Sequence, residues 1–449
     1  MGEKNMRTAA AGTGSASTED EDYKYSRGDL ALLALSALTN TACWAAFLPT
    51  LALLVTRELD QPAAQLGWLK GLFALSCFCG FGIAPFLMHH VASRTVLVGG
   101  LLLRCIAGAM HVAACARAAL SAADALILPL LYASRFAHGV QFFTMALGTS
   151  WVALRMPVKQ RMAGIGALGT AAGVGSAIGP IAGSYLAGYY GESSRLEADA
   201  APGWLLIGIS GALALAVMLL FGERDAPLAP PDAGSESVPK GLVFCVLSVA
   251  FFGFAGLLAL EGVLGLVLWE VYGLDSSRQF AVFSTFAIAG IVAAGAAVGL
   301  DRACAKPKLG AIGPLALLPS ALLLVRWDNL GEAVTYDRFI GGLVGLAFAT
   351  SFICTLAASV LVTRLEPSQQ PRWNSLTLMA GMLGRSAGPP AALMMYTAAA
   401  NTAAAGVAPA NAAMCVTVVG CALAQLVPLY FFKDVFGAAD GDAGAGHLL

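Results

Sequence analysis

The residues equipped for chemistry are ionisable side chains set inside apolar runs: Lys70, Arg104, Arg135, His138, Glu261, Asp337, Arg338 and Arg385. A charge at mid-bilayer costs a few kcal/mol on insertion scales, so such a group faces protein or a water-filled cavity. Arginine pairs carboxylate or phosphate through parallel N–H bonds, which makes Arg135 and Arg385 candidate anion ligands. Asn40, Trp44, His138 and Gln141 supply neutral contacts beside them. Glu261 is the candidate proton carrier, because a buried carboxyl whose arginine partner comes and goes can bind and release a proton. A structural ion pair with Arg338 or Arg385 is the competing reading of Glu261. Asp337 and Arg338 either join that proton site or form a local pair at the interface. Lys70 and Glu270 lie near enough to span ends to snorkel. Arg135, Arg338 and Arg385 outnumber Glu261 and Asp337, which tilts the expected solute towards a small organic anion or zwitterion.

Catalytic constellations are missing from the sequence. His89, His90, His111, His138 and His447 form no HxxxH or HxxHH box, and no P-loop or GxSxG motif occurs. An enzyme, a metal site and a cofactor are therefore not expected. Nine of the ten cysteines sit in apolar runs, where a thiol acts as a small hydrophobe.

The elements that must carry these residues follow from composition. The chain is 58% apolar and only 12% charged over 449 residues, with mean hydropathy +0.75. Soluble domains carry roughly 25% charge, so a water-soluble globule is excluded; a net charge of −1 gives no reason to expect nucleic acid. A membrane crossing needs about 20 apolar residues. Such stretches predict spans at Leu30–Thr56, Gln65–Met88, Thr95–Leu120, Asp124–Leu154, Arg161–Tyr190 and Gly203–Phe221. A second set follows at Gly241–Tyr272, Gln279–Leu300, Leu309–Arg326, Val334–Val362, Trp373–Tyr396 and Ala408–Phe432. The expected organisation is an N-terminal tail (1–28), a six-helix bundle (29–222), a Pro- and acid-rich linker (223–240), a second six-helix bundle (241–434) and a C-terminal tail (435–449). Loops on the side of the termini hold sixteen basic residues against five opposite, so the positive-inside rule places both termini in the cytoplasm. No cleaved signal is expected, and plasma, endolysosomal or vacuolar, and plastid membranes stay open.

The two sets repeat each other. Arg135-Phe136-Ala137-His138-Gly139 and Arg338-Phe339-Ile340-Gly341-Gly342 both read RFxxG, 203 residues apart. Gly175 to Pro180 and Gly384 to Pro389 both read GxxxGP, 209 apart. Parallel repeats about the membrane normal build one transporter architecture, with the substrate site at the repeat interface.

On these motifs the chain resembles the major facilitator superfamily over Leu30–Phe432. The span-four motif matches at Arg135 and Gly139, and the span-five motif at Gly175, Gly179, Pro180 and Gly183, a pattern associated in that family with antiporters. The basic loop after span two is degraded to Arg94, whereas the loop after span eight keeps Asp301 and Arg302. The resemblance implies an all-α membrane protein of twelve helices in two pseudo-symmetric bundles, working as a monomer by alternating access. It also implies that spans one, four, seven and ten line the cavity and that span three is scaffold, making Arg104 structural. Gly175, Gly179, Pro180, Gly183, Gly384, Gly388, Pro389, Asp301 and Arg302 are the expected gating residues. Proton coupling, by symport or antiport, is the expected drive; a non-transporting receptor or an uncoupled facilitator of the same fold is the alternative.

Overall fold

The computed structural model describes residues 26–191, 195–222, 240–301, 312–325, 334–364 and 370–402, together with most of 409–426. Among these residues the fold is all-helical. Eight helices, those of spans one, two, three, five, six, seven, eight and ten, are long and apolar enough to cross a membrane by length and composition. Span two is Ala63–His90, span three Ser93–Leu120, span five Val158–Gly191 and span six Arg195–Leu220. Spans seven, eight, ten and eleven are Lys240–Glu270, Ser276–Asp301, Tyr336–Arg364 and Gln370–Thr402. Spans nine and twelve are the shorter apolar helices Ile312–Leu324 and Pro409–Ala424.

Spans one and four are broken, where the sequence predicts continuous helices. Span one runs Arg27–Ala46, restarts as Leu48–Leu53 and ends in a π-helical turn, Leu54–Glu58. Pro49 lies in the first turn of the restarted segment, where its missing N–H disturbs least. Span four is Ile127–Val140 followed by Phe143–Arg155. At the junction the Phe142 N–H donates to Gly139 O at 2.9 Å, a tighter turn than the α-helical ladder allows. Several ends also move outwards: span six begins at Arg195 and span eleven extends to Thr402. Lys240, assigned to the linker, is the first residue of span seven; 223–239 and both tails lie outside the described residues.

The first six and last six spans pack by one scheme. Span one lies along five as seven lies along eleven, and two touches four as eight touches ten. Glycine spacing explains the tightest of these contacts. A Cβ on Gly175, Gly179 or Gly183 would overlap the carbonyl oxygens of Leu38, Ala42 and Ala46 on span one. One on Gly384 or Gly388 would overlap those of Phe251 and Ala255 on span seven. Each half is thus bound by a small-residue seam of the kind that drives helix association in lipid. The halves meet along two further seams, span two with eleven and span five with eight, which the twofold exchanges. Where span one starts and span six stops, Gly222 N–H donates to Asp29 Oδ1 at 2.9 Å; this end is termed the terminal face. Outward-facing residues such as Phe86, Tyr185, Tyr189 and Leu219 are large, apolar and exposed, as a lipid-facing belt requires.

Gly388→Val should lower the melting temperature of the purified protein, by about 1–3 kcal/mol of overpacking. Gly166→Ala should leave it unchanged, because nothing lies within 4 Å of the added methyl. Equal melting temperatures for both variants would refute the seam.

Candidate functional site

Five spans deliver side chains to one place. The break in span one turns Trp44 and Phe47 inwards, span two contributes Lys70 and Phe73, and the first segment of span four contributes Arg135. Spans seven and eleven add Glu261, Arg385 and Pro389, so both halves build the walls of a chamber of about 20 Å³. That volume admits a water molecule. Arg385 is almost fully buried and one of its terminal nitrogens stands 4.0 Å from Glu261 Oε2, a loose ion pair. Its guanidinium lies over the Trp44 ring at 4.1 Å. Arg135 stacks over Phe47 at 3.8 Å. The Arg135 Nε and one terminal nitrogen are buried without a hydrogen bond, and among the described residues no carboxylate pairs with it. Lys70 Nζ donates to the carbonyl oxygens of Glu261 and Gly262 at 3.0 and 3.4 Å, tying span two to span seven across the halves.

Five of the chamber residues, Trp44, Leu48, Leu258, Glu261 and Arg385, also border a larger cavity of about 700 Å³. Its lining descends through Gly173 to Gly166 on span five, Phe286 to Gly295 on span eight, and Ala347 to Thr355 on span ten, towards the terminal face. The opposite half is closed by one apolar cluster spanning both bundles, including Leu51, Val55, Leu66, Val263, Leu393 and Tyr396. The site is therefore accessible by volume from one side and packed shut on the other.

Several expected site residues sit elsewhere. Asn40 and Gln141 do not face either cavity: Gln141 Nε2 donates to Asn40 Oδ1 at 2.7 Å, and Gln141 Oε1 accepts from Arg104 at 3.3 Å. Arg104 also donates to Thr39 Oγ1 at 3.2 Å, so this fully buried arginine holds spans one, three and four together from behind the chamber. His138 is boxed by Phe47, Phe73 and Phe142, and neither ring nitrogen finds a partner. Asp337 and Arg338 are exposed at the start of span ten, away from Glu261. Arg338 donates to Leu322 O in the last turn of span nine, one of the carbonyls a helix end leaves unpaired. Asp337 occupies the first helical turn, which favours negative charge. The glycines Gly175, Gly179, Gly183, Gly384 and Gly388 are engaged within each half rather than between halves, and Pro180 is buried beside them. The Pro389 ring packs on Gly262 of span seven within its own half, while its carbonyl, with Pro390, lies against Gly67 of span two on the seam between halves. Asp301 ends span eight, its side chain and the whole of Arg302 lying outside the described residues.

Sequence reading missed Lys70. Its position one turn inside the expected start of span two suggested snorkelling, but the nearest partners are carbonyls of the facing bundle. Among the described residues no group of three or more His, Cys, Asp or Glu could hold a metal.

The sequence profile described as Major Facilitator Superfamily matches residues 33–389. No curated protein matches the chain in sequence. Among solved structures, a bacterial homologue of the human lysosomal transporter Spinster, inward-facing and unoccupied, superposes with TM-score 0.64 at 17% identity, over 92% of this chain and 99% of that one. The D-xylose-proton symporter gives 0.66 at 15% identity, over 90% and 97%. The human organic anion transporter MFSD10 gives 0.63 at 17%, over 89% and 99%. At these identities the likeness is one of fold.

Arg104 and Arg135 should respond oppositely to removal of charge. Arg104→Met strands Thr39 and Gln141 and should cost about 1–3 kcal/mol of stability. Arg135→Met relieves a buried unpaired cation and should melt at or above the wild-type temperature. A large loss of stability in Arg135→Met would make Arg135 a structural residue.

Proposed function

The chain belongs to the major facilitator superfamily, and from that premise we propose that it is a proton-linked secondary transporter of a small organic anion or zwitterion. It is an integral, multi-pass membrane protein of that transporter fold. The observation that carries the substrate class is Arg135: a buried guanidinium with unbonded nitrogens, beside a chamber that also holds Lys70, Arg385 and, among the described residues, one carboxylate. An arriving carboxylate or phosphate would satisfy donors that the protein leaves open.

Glu261 links that binding to protons by simple charge accounting. Ionised, it competes with the substrate for Arg385, 4.0 Å away. Protonated, it releases Arg385 and leaves Lys70, Arg135 and Arg385 facing an incoming anion. Proton and anion binding then reinforce one another, which favours their movement in the same direction over the exchange suggested by the GxxxGP likeness.

Alternating access follows from how the halves meet. The glycine seams keep each half rigid, while the span two–eleven and five–eight contacts change as the halves rock about the site. Pro389 against Gly67, and Lys70 on the span-seven carbonyls, are contacts that must part for the opposite face to open. The basic-residue asymmetry supports a cytoplasmic terminal face, which makes this an inward-facing arrangement of a monomer with its coupling site at mid-membrane.

Glu261→Gln tests this directly in proteoliposomes. Counterflow of substrate should persist and uptake driven by a pH gradient should disappear. Wild-type gradient-driven uptake would remove Glu261 from coupling, and absence of counterflow in the wild-type protein would favour a receptor.

A further inference from the structure

We propose that the substrate is an amphipathic monoanion: one anionic head held at Arg385 and Arg135, and one apolar body lying along the large cavity. This deepens the reading of the site as an anion site and rests on it. The polarity of the cavity is segregated. Its charged lining residues, Glu261 and Arg385, stand together at the inner end. From there towards the terminal face the described wall is Phe254, Leu257, Phe283, Phe286, Ile291 and small residues, with the hydroxyls of Thr170, Ser176, Ser351 and Thr355 among them. Among the described residues that line it there is no Asn, Gln, Asp or Lys. A second carboxylate on the substrate would be stranded among these rings without a partner, and a polyol would find too few donors and acceptors to replace its water. A hydrocarbon or aromatic body would instead exchange water for apolar wall. The volume of about 700 Å³ falls within the roughly 300–1,000 Å³ typical of sites that enclose a drug-sized ligand. Gly166 and Gly169 line the same wall with open space in front of them, so a side chain added there shortens the cavity without disturbing the packed seams.

The test is binding to the full chain in lipid nanodiscs, read by calorimetry and thermal shift. The probes are acetate, butanoate, hexanoate and octanoate, with succinate, octanol and octylamine as controls. Affinity should rise about three- to fourfold per added methylene along the carboxylate series, and succinate should bind no better than acetate. Gly169→Leu should remove at least tenfold of the octanoate affinity with the melting temperature of the free protein unchanged; Gly166→Leu is the second variant should the first not fold. Carboxylates that bind independently of chain length, or succinate that binds as tightly as octanoate, would overturn the amphipathic substrate and leave the anion site standing. Octanol or octylamine binding as tightly as octanoate would overturn the anion site itself.

Discussion

The structure turns on an imbalance of charge in a dry place. Lys70, Arg135 and Arg385 approach one chamber where Glu261 is the sole carboxylate among the described wall residues. Removing an ion from water carries an effective penalty of several kcal/mol. The partners present offset only part of it. A desolvated cation over an aromatic ring gains about 2 kcal/mol; Arg135 has one such contact, on Phe47, and Arg385 has Trp44 with Phe73 farther off at 5.8 Å. The Lys70 bonds to two carbonyls serve one cation, and the 4.0 Å Glu261–Arg385 pair is too long for a hydrogen bond. The chamber is thus under-compensated in the state described, and its aromatic plates hold the guanidiniums in place without neutralising them.

That imbalance can persist only because the surroundings are stiff. A buried cation without a partner would ordinarily be relieved by local rearrangement, yet Arg135 stands on a segment pinned at several points. Ser134 Oγ donates to Ala107 O at 2.7 Å, and Gly139 packs so closely on span two that a Cβ would overlap Ser76. Behind the chamber the Arg104–Thr39 and Gln141–Asn40 bonds close a network at the point where span four breaks. The break itself releases Gln141 from a regular helical register and lets it reach both Arg104 and Asn40. Two buried arginines only one helix apart therefore play different parts: Arg104 is bonded into the scaffold, and Arg135 is held out from it.

Much of this was legible in the sequence because the bilayer simplifies the code. Spans two, three, seven, eight and ten appear as long apolar runs, since every backbone group in lipid must bond within its own helix. The RFxxG and GxxxGP repeats fixed the duplicated plan, and Arg135, Glu261 and Arg385 stood out as charges with no exit to water. Legibility failed where one residue type serves two purposes. Gly175 and Gly388 carry the repeated GxxxGP pattern, yet a glycine cannot announce whether the backbone it admits belongs to its own half or the other. Asp337 and Arg338 repeat the Arg135 motif, but the described span ten starts only at Tyr336, so the same letters stand at an exposed helix end. Lys70 was missed because depth was judged along one helix, whereas its partners lie on another. Asn40 and Gln141 shared a polar stripe that sequence alone cannot assign to solvent or to each other.

The difference between the two repeats explains how a duplicated scaffold acquired a polar end and an apolar one. In the first half the RFxxG arginine lies deep in span four and points to the centre. In the second half its counterpart, Arg338, serves span nine, and the central charge comes from Arg385 within the second GxxxGP motif, where the first has Ser176. The cations are therefore not related by the twofold that relates the helices. They gather with Glu261 in the wall of one chamber to which both halves contribute, and the large cavity runs away past span-seven and span-eight aromatics. The asymmetric placement leaves one end of the cavity to charge and the rest to apolar wall, so the polarity of the space has a direction.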